Sequence, residues 1–255
     1  IGAADFNLDG KTDIFFSSNQ GANTLYMGNG DLTFTDITQQ AGIPNDGGWS
    51  TGVSVADVNA DGLTDIYVCR VGNFETLSSK NQLLICTGID EKNIPHFADS
   101  ADAYGLGFSG FSTQSVFFDY DLDGDLDMYL MNHAVHHSGM FAERARFTGT
   151  YSPLSGDRFY RNDNGRFADV TRETGINSSD IGYGLGAVVT DVNLDGWPDL
   201  YIGNDFHEND YLYINRGDGT FSEEMQQRML HTSQFSMGVD AADINNDVFP
   251  EIVSM

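Results

Sequence analysis

The sequence predicts an all-β protein, a β-propeller of four-stranded antiparallel blades, on three observations: an aspartate-rich loop that recurs five times, an apolar run after each loop, and tight-turn dipeptides between the runs. The loop first reads Asp5, Asn7, Asp9, Gly10 and Asp13. It returns at Asp57, Asn59, Asp61, Gly62 and Asp65, then at Asp119, Asp121, Asp123, Gly124 and Asp127. The last two copies are Asp191, Asn193, Asp195, Gly196 and Asp199, and Asp243, Asn245, Asp247, Val248 and Glu251. Successive starts lie 52, 62, 72 and 52 residues apart, a period that signals a solenoid or a propeller.

The strands follow in order around each loop. A short small-residue or apolar approach precedes it (53–56, 115–118, 186–189 and 239–242), and a nearly continuous apolar run follows (14–16, 66–69, 128–131 and 200–202). Such a run suits a strand buried on both faces, which makes the loop a hairpin connection. A third strand is expected at 24–27, 82–85, 158–161 and 211–214, three times leading into a turn with Asn29-Gly30, Asn164-Gly165 or Asp218-Gly219. The fourth, at 34–38, 97–100, 167–171 and 221–224, alternates apolar and polar residues and completes a blade. Connectors ending at Ala41-Gly42-Ile43, Tyr104-Gly105-Leu106 and Thr174-Gly175-Ile176 lead to the next unit. Only the stretch from Met140 to Phe147 suggests a longer helix.

One blade cannot bury both faces of its sheet, so blades must stack about an axis. The 255 residues supply four blades and part of a fifth, whereas a ring of seven on this spacing needs roughly 400 residues. The expectation is a partial propeller within a longer chain.

With 38 acidic against 12 basic residues and a formal charge of -26, binding to nucleic acid or to an anionic membrane is electrostatically disfavoured. An apolar fraction of 40% still provides a core, and no apolar run is long enough to span a bilayer as a helix. The two cysteines, Cys69 and Cys86, exclude a disulfide-dense scaffold and leave both a single bridge and two buried thiols open.

The loops carry the chemistry. Calcium takes six to eight hard oxygen ligands, and alternate residues of a tight loop turn toward one point. Positions one, three and five of each loop supply side-chain oxygens, position seven a carbonyl, and position nine a closing carboxylate. Glycine at position six permits the backbone turn. Without a divalent ion, three or four carboxylates so close would repel one another. Five copies in register count against the simpler reading of Asp, Asn and Gly as turn formers. The fifth copy departs, with Val248 in the glycine position and Glu251 in place of aspartate, which leaves its turn geometry and ion in doubt. The distal glutamate and flanking helices of an EF-hand are lacking.

These loops, together with the stretch from Leu25 to Ile43, resemble the FG-GAP/VCBS repeat family, in particular its cartilage acidic protein and ASPIC/UnbV group. The resemblance covers essentially the whole chain. It implies a seven-bladed propeller similar to the integrin α-subunit head, with calcium in blade hairpins and a secreted or cell-surface location. Carried over residue by residue, it supports only the loop ligands.

Other signals weigh less. His133, His136 and His137, with His207, form a grouping that suits a transition metal, against a solvated or packing role. Gly48, Ser50 and Gly52 match a nucleophile elbow but lead into a strand and not a helix. Close carboxylates of a glycosidase type are better explained as ion ligands. Asn177 opens a formal glycosylation acceptor. The segment 133–157 has no counterpart in other repeats and is the expected place for a protein-specific role. The sequence thus implies a calcium-stabilised, non-enzymatic recognition or adhesion module outside the cell, with a protein or glycan ligand. A docking subunit of a bacterial surface or uptake assembly, and a propeller lyase or hydrolase acting on glycans, are the alternatives.

Overall fold

The computed structural model describes residues 1–135, 142–206 and 208–255. Of the sequence expectations, those on His136, His137, Met140 and His207 lie outside the described residues. The chain divides into two compact units, Ile1–Ser115 with Asp163–Phe167, and Val116–Asn162 with Ala168–Met255.

The first unit holds two blades. Strands β1 (Gly2–Ala4), β2 (Asp13–Phe16), β3 (Thr24–Gly28) and β4 (Phe34–Asp36) pair antiparallel in that order. In the next blade, β5 (Trp49–Ala56) pairs with β6 (Asp65–Phe74), whose outer end also carries the short β7 (Leu77–Ser78). Strands β8 (Gln82–Ile89) and β9 (Pro95–Asp99) complete it.

The remaining sheets repeat this meander. They are β10 (Ser112–Phe118), β11 (Asp127–Asn132), β12 (Arg158–Asn162) and β13 (Phe167–Asp169), then β14 (Gly184–Thr190), β15 (Asp199–Asn204), β16 (Tyr211–Asn215) and β17 (Phe221–Glu223). A hairpin of β18 (Val239–Ala242) and β19 (Glu251–Ser254) ends the described chain.

The expected blades are therefore present, with two refinements. The connectors after the fourth strands contain one-turn helices, α1 (Ala101–Tyr104), α2 (Thr171–Thr174) and α3 (Met225–Arg228). Gly105 closes α1 at a φ of 83°, and a Cβ there would meet the Phe167 carbonyl at 2.6 Å. Only glycine fits that left-handed cap and close approach. Around 140–147 the described residues form no long helix, only a 3-10 turn at Arg144–Arg146.

The apolar second strands behave as their composition demands. All six residues of β11 and of β15 are buried, because each strand has a packed face on both sides. In the first unit Phe6, Phe15, Leu25, Ile66, Val68 and Leu84 form the core, and in the second Tyr129, Phe159, Leu200, Ile202, Tyr213 and Phe221 do so. Strand β2 departs from expectation: it alternates, with Phe15 buried while Ile14 is half-buried and Phe16 exposed, and Phe16, Tyr26 and Phe34 line an open apolar hollow.

A second repeated feature, absent from the sequence reading, ties the far end of each blade. The residue just before the third strand accepts a backbone N–H from the end of the second. Asn81 accepts from Arg70 at 2.7 Å, Asp157 from Asn132 at 2.8 Å and Asp210 from Asn204 at 2.8 Å. A tyrosine of the second strand joins each clasp. Tyr129 and Tyr201 donate to Asp157 and Asp210 at 2.6 Å, and the Asn81 amide donates to the Tyr67 hydroxyl at 3.0 Å. Burial pushes the Asp157 carboxyl up to about 7, against the pull of Tyr129 and Asn132.

In the first blade Asn23 accepts from Ser18 at 2.9 Å, but Phe15 stands where the others carry tyrosine. The buried Asn23 Nδ2 consequently has no hydrogen-bond partner. Cys69 and Cys86 are buried free thiols and not a bridge; the β6–β8 register sets Val68 opposite Gln82 and Ile66 opposite Leu84, with Cys69 and Cys86 beyond opposite ends of that pairing.

Phe15→Tyr should complete the first clasp. A hydroxyl that satisfies Asn23 is expected to add about 1 kcal/mol to unfolding stability, read as a shifted midpoint at unchanged slope in a denaturant titration. A loss of stability would mean that the pocket around Phe15 cannot accommodate the oxygen.

Candidate metal centres

Each acidic loop is built on the same hydrogen bonds. The carboxylate at position one accepts two backbone N–H groups, from positions five and six: Asp5 from Asp9 and Gly10 at 3.0 and 2.7 Å, and Asp57 from Asp61 and Gly62 at 3.0 and 2.8 Å. Asp119, Asp191 and Asp243 do the same within 2.8–3.1 Å. Position five accepts from the amide two residues on, as Asp123 does from Asp125 at 3.1 Å and Asp195 from Trp197 at 2.9 Å. In three loops the asparagine at position three, Asn7, Asn59 or Asn193, also accepts the amide of position five. These side-chain caps hold a tight turn that a polar backbone would otherwise satisfy with water.

Position nine has a role that its spacing did not reveal. Asp13, Asp65, Asp127 and Asp199 begin the second strands and are buried. One oxygen of each accepts the amide of position two, and the other accepts an amide of the third strand. For Asp65 the donors are Val58 at 3.0 Å and Cys86 at 2.8 Å, and for Asp127 they are Tyr120 at 3.1 Å and Asn162 at 2.8 Å. Asp13 receives Phe6 and Gly28, and Asp199 receives Val192 and Asn215. The carboxylate thus fastens the loop to the sheet. Each carboxylate oxygen retains a second lone pair, so the pairing leaves ligation of a cation open.

Charge is concentrated there. Burial raises the carboxyl of Asp65 to about 6 and that of Asp127 to about 7. The two amides oppose this in each case, and neighbouring carboxylates, Asp61 and Asp57 or Asp121 and Asp125, reinforce it. Asp13 and Asp199 are shifted upward by the same cause.

The third loop brings the candidate ligands closest. One ligand atom from each of Asp119, Asp121 and Asp127 lies within 4.8 Å of the others. Asp121 Oδ1 is buried without a hydrogen-bond partner, and its carboxyl is shifted upward by burial and by Asp123 and Asp119. An unpaired buried carboxylate oxygen facing two further carboxylates fits a hard divalent cation and fits little else.

The fifth loop keeps the turn despite its altered residues. Val248 adopts a φ of 83°, beside 82° to 98° at Gly10, Gly62, Gly124 and Gly196. Glu251 reaches the position-two amide of Ile244 at 2.8 Å and the Asn245 side chain at 2.7 Å. A β-branched residue in the left-handed region stores strain that the glycines avoid.

Of the histidine grouping only His133 lies among the described residues, and Ser50 is placed within a strand. His133 Nδ1 donates to the Ala134 carbonyl at 2.7 Å, and its ring meets Tyr183 edge-on at 4.4 Å between centroids. Ser50 sits within β5 opposite Arg70, in a strand pairing and not at a strand-to-helix turn, and its buried hydroxyl has no partner. The described part of the 133–157 insertion carries an Arg144–Glu208 ion pair at 2.7 Å and the clasp residue Asp157.

Repeated four-stranded sheets with an acidic hairpin loop between their first two strands define an all-β repeat protein of the propeller type. The sequence profile described as an FG-GAP-like repeat matches residues 5–68 and 191–254, just over half of the chain, and the chain belongs to that family. It is 28% identical over 220 residues to cartilage acidic protein 1 of Mus musculus, covering 83% of this chain and 29% of that protein. It is 34% identical over 82 residues to integrin alpha-7 of Rattus norvegicus, covering 28% of this chain and 7% of that protein. The chain therefore spans less than a third of the length of these relatives. Among solved structures, an Agrocybe aegerita lectin, described by its recognition of non-reducing terminal N-acetylglucosamine, superposes with a TM-score of 0.50 at 16% identity. The match covers 99% of this chain and 59% of the lectin chain, and it shows a shared fold.

Two outcomes follow from the loops. Because the folded-state values of Asp65 and Asp127 are raised, the native state holds more protons than the unfolded chain between about pH 4 and pH 7. In chelator, stability should fall as the pH rises through 6 to 7; calcium, which needs the ionised forms, should stabilise most above that range. Melts with and without calcium should converge as the pH is lowered from about 8 to 5, and a gap independent of pH would contradict the assignment. Separately, Val248→Gly should relieve the fifth turn by about 1 kcal/mol, seen as slower hydrogen exchange in β18 and β19.

Proposed function

We propose that this chain is a calcium-stabilised, non-enzymatic recognition module that works outside the cell, in which the ions are structural and the connections between strands meet a protein or glycan ligand. The observation that carries the calcium reading is the unpaired Asp121 Oδ1 beside Asp119 and Asp127. In each loop, positions one, three, five and nine would hold the ion: Asp5, Asn7, Asp9 and Asp13 in the first, and their counterparts through Asp243, Asn245, Asp247 and Glu251 in the fifth. The ion would supply positive charge to carboxylates that otherwise repel.

The chain's own residues do the rest. The amides of positions five and six orient the position-one carboxylate, and the buried position-nine carboxylate anchors the loop to the third strand. Such a site resists movement, which suits permanent occupancy at the millimolar calcium found outside cells and not signalling. Similarity to cartilage acidic protein 1 and to integrin alpha-7 supports this setting. No arrangement of nucleophile and base favours catalysis among the described residues, since Ser50 lacks a partner and the close carboxylates belong to the loops.

Calcium at a hundredfold excess over its dissociation constant should stabilise by about 2.7 kcal/mol per site. Thermal melts in calcium and in chelator, with metal analysis of the purified protein, test this: a large drop on chelation and four or five ions per chain are expected. Asp121→Asn sharpens the test, because removing one repelling charge should raise the melting temperature in chelator while shrinking the gain from calcium. Equal curves for both proteins in both conditions would refute structural ions.

A further inference from the structure

We infer that a cleft in the second unit, beside the β11–β12 connection, binds a sugar bearing a single carboxylate, with Arg172 taking the carboxylate and Tyr151 forming the wall. The inference rests on the recognition reading above and names a site and ligand class for it.

The cleft measures about 610 Å³, within the range of small-molecule sites. Two stretches line it, 148–151 from the insertion and, on the way from α2 toward β14, 171–172 with 175–178. Both lie at the opposite end of the blades from the acidic loops, because each joins strands at the edge where the clasp residues sit.

Two guanidinium groups lie over the Tyr151 ring, with the Arg158 carbon 4.7 Å and the Arg172 carbon 4.4 Å from its centroid. Their remaining chemistry differs. Arg158 is buried and committed, to Asp169 at 3.1 Å and to the Pro153 carbonyl at 2.7 Å. Arg172 is exposed and, among the described residues, has no carboxylate within ion-pairing distance. An exposed guanidinium held over an aromatic ring, with no carboxylate already paired to it, can still form a bidentate pair with an arriving carboxylate.

The rest of the lining is neutral. In a chain with 38 acidic residues, no aspartate or glutamate lines this cleft. Thr148, Thr150 and Asn177 offer hydroxyl and amide groups. One cation, one aromatic ring and a hydroxyl rim match a polyhydroxylated monoanion. A polyanion is disfavoured by the field of a protein carrying -26.

The test uses the calcium-loaded protein titrated with glucuronate, with glucose and acetate as controls, followed by calorimetry and by the amide shifts of Thr148, Thr150 and Ser178. Glucuronate is expected to bind at least about tenfold more tightly than either control, and Arg172→Gln to lose about tenfold or more while its melting curve stays unchanged. Acetate binding as well as glucuronate would reduce the site to a bare anion contact and overturn the proposal. So would glucuronate binding that Arg172→Gln leaves intact, or no glucuronate binding up to about 50 mM. Where glucuronate fails but another glycan or a protein binds the calcium-loaded form, the cleft assignment falls and the recognition reading stands.

Discussion

The structure depends on how a buried carboxylate is satisfied. At Asp13, Asp65, Asp127 and Asp199 a buried carboxylate sits at the start of a second strand, where desolvation alone would expel its charge. Two amides accept the burden, one from the loop and one from the neighbouring strand. The loop, the hairpin and the third strand are therefore one hydrogen-bonded object. Removal of this contact would free the acidic turn from the sheet and leave two buried N–H groups without acceptors.

The opposite end of each blade solves a different problem with similar means. Asn81, Asp157 and Asp210 hold the end of the second strand through its backbone, with a tyrosine hydroxyl as the third member. Each sheet is thus fixed at both ends by a short polar side chain, while its faces are fixed by apolar packing. The aromatic residues Tyr129, Phe159, Tyr213 and Phe221 approach in tilted or edge-on pairs, which fills space between sheets that twist.

The repeat itself was plainly legible. Period, turn dipeptides and the apolar runs after each loop placed the strands to within a few residues, because these are local signals that sequence spacing preserves. The double duty of position nine was not legible, since Gly28, Cys86, Asn162 and Asn215 lie far along the chain and donate through backbone atoms that carry no signature. The clasps escaped for the same reason, although the alignment of Tyr67, Tyr129 and Tyr201 with an Asn or Asp before the third strand was available as a signal. The fifth loop shows the reverse case: Val248 argued against the turn, but the hydrogen bonds of Asp243 and Glu251 outweigh its preference and impose it. Tyr151 and Arg172 are brought together only by the course of the insertion, which spacing does not encode.

The clasp has one more consequence. It fixes the beginning of the third strand without reference to the chain that leads there, and that chain runs from Phe16 to Asn23 in one blade and from Asn132 to Asp157 in another. Length in this connection is decoupled from register. The fold thus offers a place where foreign peptide could be spliced in, held at its base by an aspartate or asparagine and a tyrosine, so that new surface chemistry arises with no redesign of the sheet beneath.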